Sequence, residues 1–155
     1  MTSTRFILFL DFDGVTHPEP CPVDQRFTRL PLIEEVLREF RACQVVISSS
    51  WRCSHSMDTM CGYFSADVRS RVIGVTPELD RSKRDWYPQH PSSFSRQAEC
   101  EAWLIDNGLA DARWLAIDDS PWWFEPGHPG LLVTDRLQGF TPEDAQTLRM
   151  MMGRW

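Results

Sequence analysis

The chain has 155 residues, with 22 Asp and Glu against 16 Lys and Arg, for a formal net charge of −6. That length suits a single domain, read as 1–155, with one substantial core, and at 42% hydrophobic and 25% charged the composition excludes disordered and fibrous classes. The acidic balance argues against coating nucleic acid by bulk charge, although a local basic path is compatible with it.

In chain order, Phe6-Ile7-Leu8-Phe9-Leu10 is apolar at every position, as expected of a strand covered on both faces. It is the longest apolar run, too short for a membrane span, and it breaks into acid too early for a signal peptide. After a Pro-rich loop, Leu32, Ile33, Val36, Leu37 and Phe40 recur at helical spacing, with Pro31 in the first turn. Val45-Val46-Ile47 reads as a second strand ending in Ser48-Ser49-Ser50, and Val72-Ile73-Gly74-Val75 as a weaker third. Residues 77 to 94 are irregular, and this loop is a candidate lid. A helix is expected from Ser95, its N-cap, to Asn107-Gly108. Trp114 to Ile117 and Leu131 to Thr134 read as further strands, and Thr141-Pro142-Glu143-Asp144 opens a last helix. Strands alternating with helices predict an α/β, Rossmann-like fold with a mainly parallel sheet and helices on both faces.

Three polar clusters begin where strands end: Asp11-Phe12-Asp13-Gly14, Ser48-Ser49-Ser50-Trp51-Arg52 and Asp118-Asp119-Ser120. Ligand sites of open α/β sheets lie at the carboxyl ends of strands, so parallel neighbours would bring these clusters to one rim. Four carboxylates crowded there repel one another unless a cation sits among them, and oxygen-only ligands suit Mg²⁺ better than zinc. Residues two apart on an extended chain face the same way, so Asp11 and Asp13 can address one substrate. One carboxylate can attack phosphorus while its neighbour handles the proton of the leaving oxygen. Hydroxyl and N–H groups of Ser48 and Ser49 can hold phosphate oxygens.

Asp11-Phe12-Asp13-Gly14-Val15, Val45-Val46-Ile47-Ser48, a basic residue and Asp118-Asp119 resemble the motifs I to IV of the haloacid dehalogenase (HAD) superfamily of phosphotransferases. Ser49-Ser50-Trp51-Arg52, with Gly139-Phe140-Thr141, is similar to the HAD domain of Swiss Army Knife RNA repair proteins. The resemblance implies Asp11 as nucleophile and Asp13 as general acid and base. It implies Mg²⁺ held by Asp11, Asp118, Asp119 and the backbone carbonyl of Asp13. It also implies a cation near the head of the helix before the acidic pair, where Arg96, 22 residues before Asp118, is preferred to Lys83. Whether Ser48 or Ser49 is the motif II residue stays open. Trp51 and Arg52 are candidates for contact with substrate.

Other residues have plainer readings. Cys53, His55 and Cys61 lack a fourth ligand at zinc spacing. His17 reads as a loop end rather than a substrate contact. Trp122 and Trp123 read as packing or lid aromatics before base-stacking ones, Trp86, Tyr87 and His90 are equally ambiguous, and Met150 to Met152 read as core. Five cysteines, odd in number and scattered, point to a reduced, cytoplasmic protein rather than a disulfide framework.

The expected function is therefore a Mg²⁺-dependent phosphatase. With only ~15–25 residues between motif-bearing elements and their neighbours, there is too little chain for a separate cap domain. An open site suits a large substrate, such as the 3′-phosphate of an RNA or DNA end, and the narrower resemblance implies work beside RNA repair enzymes. The alternatives are a capless phosphatase for a nucleotide or small phosphate ester, and a catalytically idle binding module. A two-component receiver domain is rejected because there the acidic pair follows the first strand, whereas here it comes late.

Overall fold

The computed structural model of the chain describes residues 5–79 and 94–154. Lys83, Trp86, Tyr87 and His90, and most of the candidate lid, lie outside the described residues. Five strands form one sheet: β1 (Phe6–Leu10), β2 (Cys43–Ile47), β3 (Val72–Val75), β4 (Arg113–Asp118) and β5 (Leu131–Val133). Their order is β3-β2-β1-β4-β5 and every neighbouring pair is parallel, as the alternation of strand and helix predicts. Around it lie α1 (Leu30–Glu39), α2 (Met57–Cys61), α3 (Ala66–Arg69), α4 (Ser95–Asp106) and α5 (Pro142–Met152).

The unbroken apolar runs follow from burial on both faces. Leu8, Leu10, Val45, Ile47 and Ile117 pack with Leu30, Ile33 and Leu37 of α1 and Leu148 of α5. The alternate residues Ile7, Phe9, Val46 and Ala116 pack with Cys100, Trp103 and Leu104 of α4. Fully burying a Leu, Ile or Phe side chain contributes about 1.5–3 kcal/mol, so the two layers together dominate the stability. Gly74 in β3 is a packing requirement: a Cβ there would lie 2.7 Å from the indole nitrogen of Trp103.

Two details differ from expectation. Phe94, not Ser95, occupies the N-cap of α4, with extended backbone and no side-chain cap bond, so Ser95 is already helical. On α5, Met152 is buried but Met150 is 63% exposed, because two residues turn a helix by roughly 200° and cannot share a face. The N-terminus of α5 forms as expected: the Thr141 hydroxyl accepts from the Asp144 amide while the Asp144 carboxylate accepts from the Thr141 amide.

Strand order matters for function. The chain fills β1, β2 and β3 outward on one side, then crosses back to place β4 and β5 on the other. The carboxyl ends of β1 and β4 thus flank the point where connections diverge, the position at which open α/β sheets bind ligands. Among the described residues, no helix is long and apolar enough to cross a membrane.

Candidate active site at the carboxyl edge of the sheet

The register brings the three polar clusters level. The amide of Asp11 donates to the Ile117 carbonyl at 3.1 Å, and the amide of Ser48 donates to the Leu10 carbonyl at 2.8 Å. Phe12 turns into the α1-side core, while Asp11 is buried at the opposite side beside α4. One carboxylate oxygen from each of Asp11, Asp118 and Asp119 lies within 4.8 Å of the others. Burial and the neighbouring Asp118 charge push the Asp11 carboxyl well above its usual range, against the pull of Arg96. Burial likewise raises Asp118, opposed by Arg96 and by the Ser120 amide that donates to its Oδ1 at 2.9 Å.

A cation would relieve such crowding, and the donor set is all oxygen, which would suit Mg²⁺. Gly14 makes the crowding possible. Its φ is +75°, and a Cβ would stand 2.2 Å from the Asp119 Oδ2, so only glycine lets the loop after β1 close over that carboxylate. The Thr134 hydroxyl pins this loop from the end of β5 by donating to the Gly14 carbonyl at 2.7 Å.

Arg96 enters from the first turn of α4. Its Nη1 stands 3.7 Å from Asp11 Oδ1 and 3.9 Å from Asp118 Oδ2 and donates to the Ser48 carbonyl. Its guanidinium lies 4.8 Å from the ring centre of Trp123. Burial alone would lower its proton affinity, but Asp11 and Asp118 more than offset this and raise it. The Arg96 Nε is 3.7 Å from Glu99 Oε2, and Glu99 Oε1 accepts from Arg52 Nη2 at 3.0 Å. Arg52, expected at the substrate, is instead turned inward: it also donates to the Ser49 carbonyl at 3.1 Å, and its side chain is 11% exposed. The Glu99 carboxylate, 13% exposed, needs a strong partner, and among the described residues Arg52 is nearer than Arg96.

The two serines separate in role. The Ser48 hydroxyl faces the Cys100 sulfur at 3.9 Å, whereas Ser49 Oγ accepts from the Trp51 amide at 3.2 Å and caps the 3₁₀ turn Ser50–Cys53. Both hydroxyls are buried beside the carboxylate cluster's strands.

Asp13 does not join the trio of Asp11, Asp118 and Asp119. Its side chain is 39% exposed, and its Oδ1 accepts from His17 Nε2 at 2.9 Å and from Trp51 Nε1 at 3.0 Å. The His17 hydrogen bond lowers its proton affinity, against burial, and the Trp51 bond and the Arg26 charge add to the effect. Trp51 is 8% exposed and donates its indole N–H to Asp13. One expectation is corrected: His17 is 1% exposed and hydrogen-bonded to the Asp13 carboxylate, rather than a loop end. Beside Asp13 opens a cavity of about 340 Å³ lined by Glu19, Arg26, Ser50, Trp51, Ser54 and His55.

Trp122 is 63% exposed and Trp123 lies under Arg96, so these neighbours serve different surroundings. Cys53, His55 and Cys61 form no metal-holding group among the described residues. Sequence reasoning missed His17, Arg26, Phe27 and Glu99. His17 stands four residues after Asp13 across a glycine turn, and Glu99 one helical turn after Arg96; both spacings were legible. Phe27 and Arg26 carry no local signal.

Compared with known proteins, residues 7–145 match the HAD domain in Swiss Army Knife RNA repair proteins. Searches of curated proteins and of solved structures return no match. The matched span holds the five strands but for the first residue of β1, both acidic motifs and Arg96, and the chain belongs to the family of HAD domains in Swiss Army Knife RNA repair proteins.

Proposed function

We propose that this chain, folded as one domain over 1–155, is a Mg²⁺-dependent phosphatase that works through an aspartyl-phosphate on Asp11 and acts on the 3′-phosphate of a nucleic-acid end. The observation that carries the reading is the buried group of Asp11, Asp118 and Asp119 with Arg96 against it, at the crevice between β1 and β4. Asp11, Asp118, Asp119 and the backbone carbonyl of Asp13 would hold the ion, whose charge, when bound, offsets the repulsion between Asp11 and an anionic phosphate.

In the first step, an Asp11 oxygen bonds to phosphorus, the bond from phosphorus to the leaving oxygen breaks, and Asp13 gives that oxygen a proton. In the second, water attacks the phosphorus and returns a proton to Asp13, and Asp11 leaves as a carboxylate with release of inorganic phosphate. The low proton affinity of Asp13 suits its resting state. An arriving phosphate adds negative charge beside the carboxyl and raises that affinity, which prepares Asp13 for the acid step. Arg96 and the donors at Ser48 and Ser49 bind the transferring oxygens.

Two features favour a large substrate. The connection from Asp11 to Arg29 contains only the 3₁₀ turn Val23–Gln25, with no folded cap. The cavity beside Asp13 lies on the leaving-group side and carries Arg26, suited to a further phosphate on a polynucleotide. The family's association with RNA repair supports RNA ends, with repair enzymes as partners, and five free cysteines fit a reducing cytoplasm.

Purified protein is expected to release phosphate from para-nitrophenyl phosphate with Mg²⁺, and EDTA or Asp11→Asn is expected to abolish it. Oligonucleotides with 3′-phosphates are then compared with 5′-phosphorylated ones, nucleotides and sugar phosphates. Good turnover of a small ester with oligonucleotides untouched would overturn the polynucleotide assignment. Binding of phosphorylated RNA without any turnover would mark an idle module instead.

A further inference from the structure

We infer that His17 and Trp51 are positioning residues that hold Oδ1 of Asp13, leaving Oδ2 as the oxygen that carries the proton to the leaving group and back from water. This deepens the phosphatase reading and rests on it.

The geometry is asymmetric. Both N–H groups, His17 Nε2 at 2.9 Å and Trp51 Nε1 at 3.0 Å, converge on one oxygen of Asp13. A carboxylate oxygen that accepts two such bonds is a poor place for a proton, because protonating it sets an O–H against two donors. The proton therefore goes to Oδ2, and fixing one oxygen fixes where the other points. General acid catalysis needs that direction, since the proton must travel along the line to the leaving oxygen.

The tautomer of His17 is set by its surroundings. The Phe27 amide can only donate, and it points at His17 Nδ1 from 3.3 Å. Nδ1 is therefore an acceptor, and in the neutral ring the proton sits on Nε2, facing Asp13. The Thr16 hydroxyl stands 3.0 Å from the same Nδ1 and 3.0 Å from the Phe12 carbonyl, so its proton has an acceptor on either side. Asp13, His17 and Glu19 also stand close enough together to suggest a second cation site. The Nε2 proton argues against it, since His17 presents a hydrogen there rather than a lone pair.

The fold bears a cost to keep this arrangement. Phe27 has a φ of +64°, in the left-handed region that L residues avoid, at a cost of about 1–2 kcal/mol. Its ring stacks on Tyr63 at 4.1 Å and meets the edges of Phe12, His17 and Trp51. Trp51 in turn is covered by His55, stacked at 4.6 Å, and by the Arg26 guanidinium at 5.3 Å. An aromatic box of this kind restrains both donors. A buried histidine whose only role was packing could be replaced by phenylalanine in the same box.

The test compares His17→Phe, Trp51→Phe and the conservative His17→Gln, whose amide N–H can approximate that of Nε2. Turnover is measured on para-nitrophenyl phosphate, whose leaving group departs without a proton, and on 2-glycerophosphate, whose alkoxide needs one. His17→Phe and Trp51→Phe are expected to lower kcat/KM on the alkyl ester, which reports the leaving-group step and not the hydrolysis common to both esters, by about 10–100-fold, a part of the ~10²–10⁴-fold that general acid catalysis contributes in full. Their loss of kcat/KM on the aryl ester should be several-fold smaller, and His17→Gln should recover much of the alkyl rate. Equal losses on both esters, or no loss on the alkyl ester, would overturn the inference while leaving the phosphatase reading intact. Wild-type protein inactive on both esters would remove the phosphatase reading and the catalytic role with it. A second readout needs no turnover: ¹⁵N spectra should report an Nε2-protonated His17, and Asp13→Ala should shift both its resonance and the Trp51 indole resonance. An Nδ1-protonated ring, or an indole signal indifferent to Asp13, would overturn the hold itself.

Discussion

Arg96 Nη1 stands 3.7 Å from Oδ1 of Asp11, a residue just past the end of the central strand that it meets only because α4 packs across that face of the sheet. The distance is longer than a tight ion pair, and the same nitrogen is 3.9 Å from Asp118 Oδ2. One cation is thus shared between two buried carboxylates. This leaves Arg96 placed to meet a phosphate as well as the acids, which a tight bidentate pair with either acid would not.

Removing that charge should be costly. Arg96→Gln leaves Asp11 and Asp118 buried with no cation beside them, and breaking a buried pair typically costs 3–5 kcal/mol. Chemical denaturation of the metal-free protein should register a loss of about that size, partly recovered by Mg²⁺. Arg96→Lys keeps a charge but loses the planar fork, so KM for phosphate esters should rise more than stability falls. An Arg96→Gln variant as stable as wild type would show that the shared contact carries no energy.

Asp11→Asn should separate stability from activity. Activity should fall below detection, while the metal-free protein should gain about 1–3 kcal/mol from removal of a buried, repelled charge. The raised Asp11 carboxyl binds more protons folded than unfolded above the ordinary Asp value of 3.8. Stability of the wild type therefore falls as pH rises from that value through the raised folded one, and the Asn variant should flatten that fall. Melting temperatures at pH 5 and pH 8 without divalent cations check the sign; a gain larger at pH 5 would contradict it.

Gly14→Ala should damage the proposed cation site without altering a proposed ligand. The added Cβ would stand 2.2 Å from Asp119 Oδ2 at a φ of +75°, so either the loop or the carboxylate must move. The left-handed backbone alone costs about 1–2 kcal/mol. Mg²⁺ titration followed by calorimetry should show at least tenfold weaker binding, and unchanged affinity would remove Asp119 from the ligand set.

Arg52 and Glu99 should behave as a coupled pair. Arg52→Ala removes the nearer cation from the Glu99 carboxylate and, among the described residues, leaves it Arg96, at a cost of about 1–3 kcal/mol. Arg52→Ala with Glu99→Ala should recover part of that loss, a coupling readable in a double-mutant cycle. Were Arg52 instead a substrate contact, its loss would raise KM in a salt-dependent way and leave the denaturation midpoint alone.

Much of this was legible in the chain itself. Phe6 to Leu10 followed by Asp11-Phe12-Asp13-Gly14, and Trp114 to Ile117 followed by Asp118-Asp119, declared buried strands with acids at their ends. Burial pattern and acid placement are local properties, encoded within a few residues of each strand. The same locality marks Thr141 and Asp144 as a helix start. Arg96 could be named because the resemblance to the HAD superfamily implies a cation near the head of the helix before the acidic pair.

What the chain could not declare is anything settled by the packing of distant segments. Strand order put Asp118 beside Asp11 through β1–β4 pairing, and no residue pattern states which strands will be neighbours. Nothing in the chain states that Phe12, Phe27 and Tyr63 will box Trp51 in and turn its N–H onto Asp13. Arg52 was captured by Glu99 from α4, a helix that begins more than forty residues later in the chain. Composition and periodicity determine which residues are buried and where acids cluster, because those follow from short-range hydrophobic pattern. Only the tertiary structure decides which polar group each acid meets, because that depends on how side chains from separate elements fill one space.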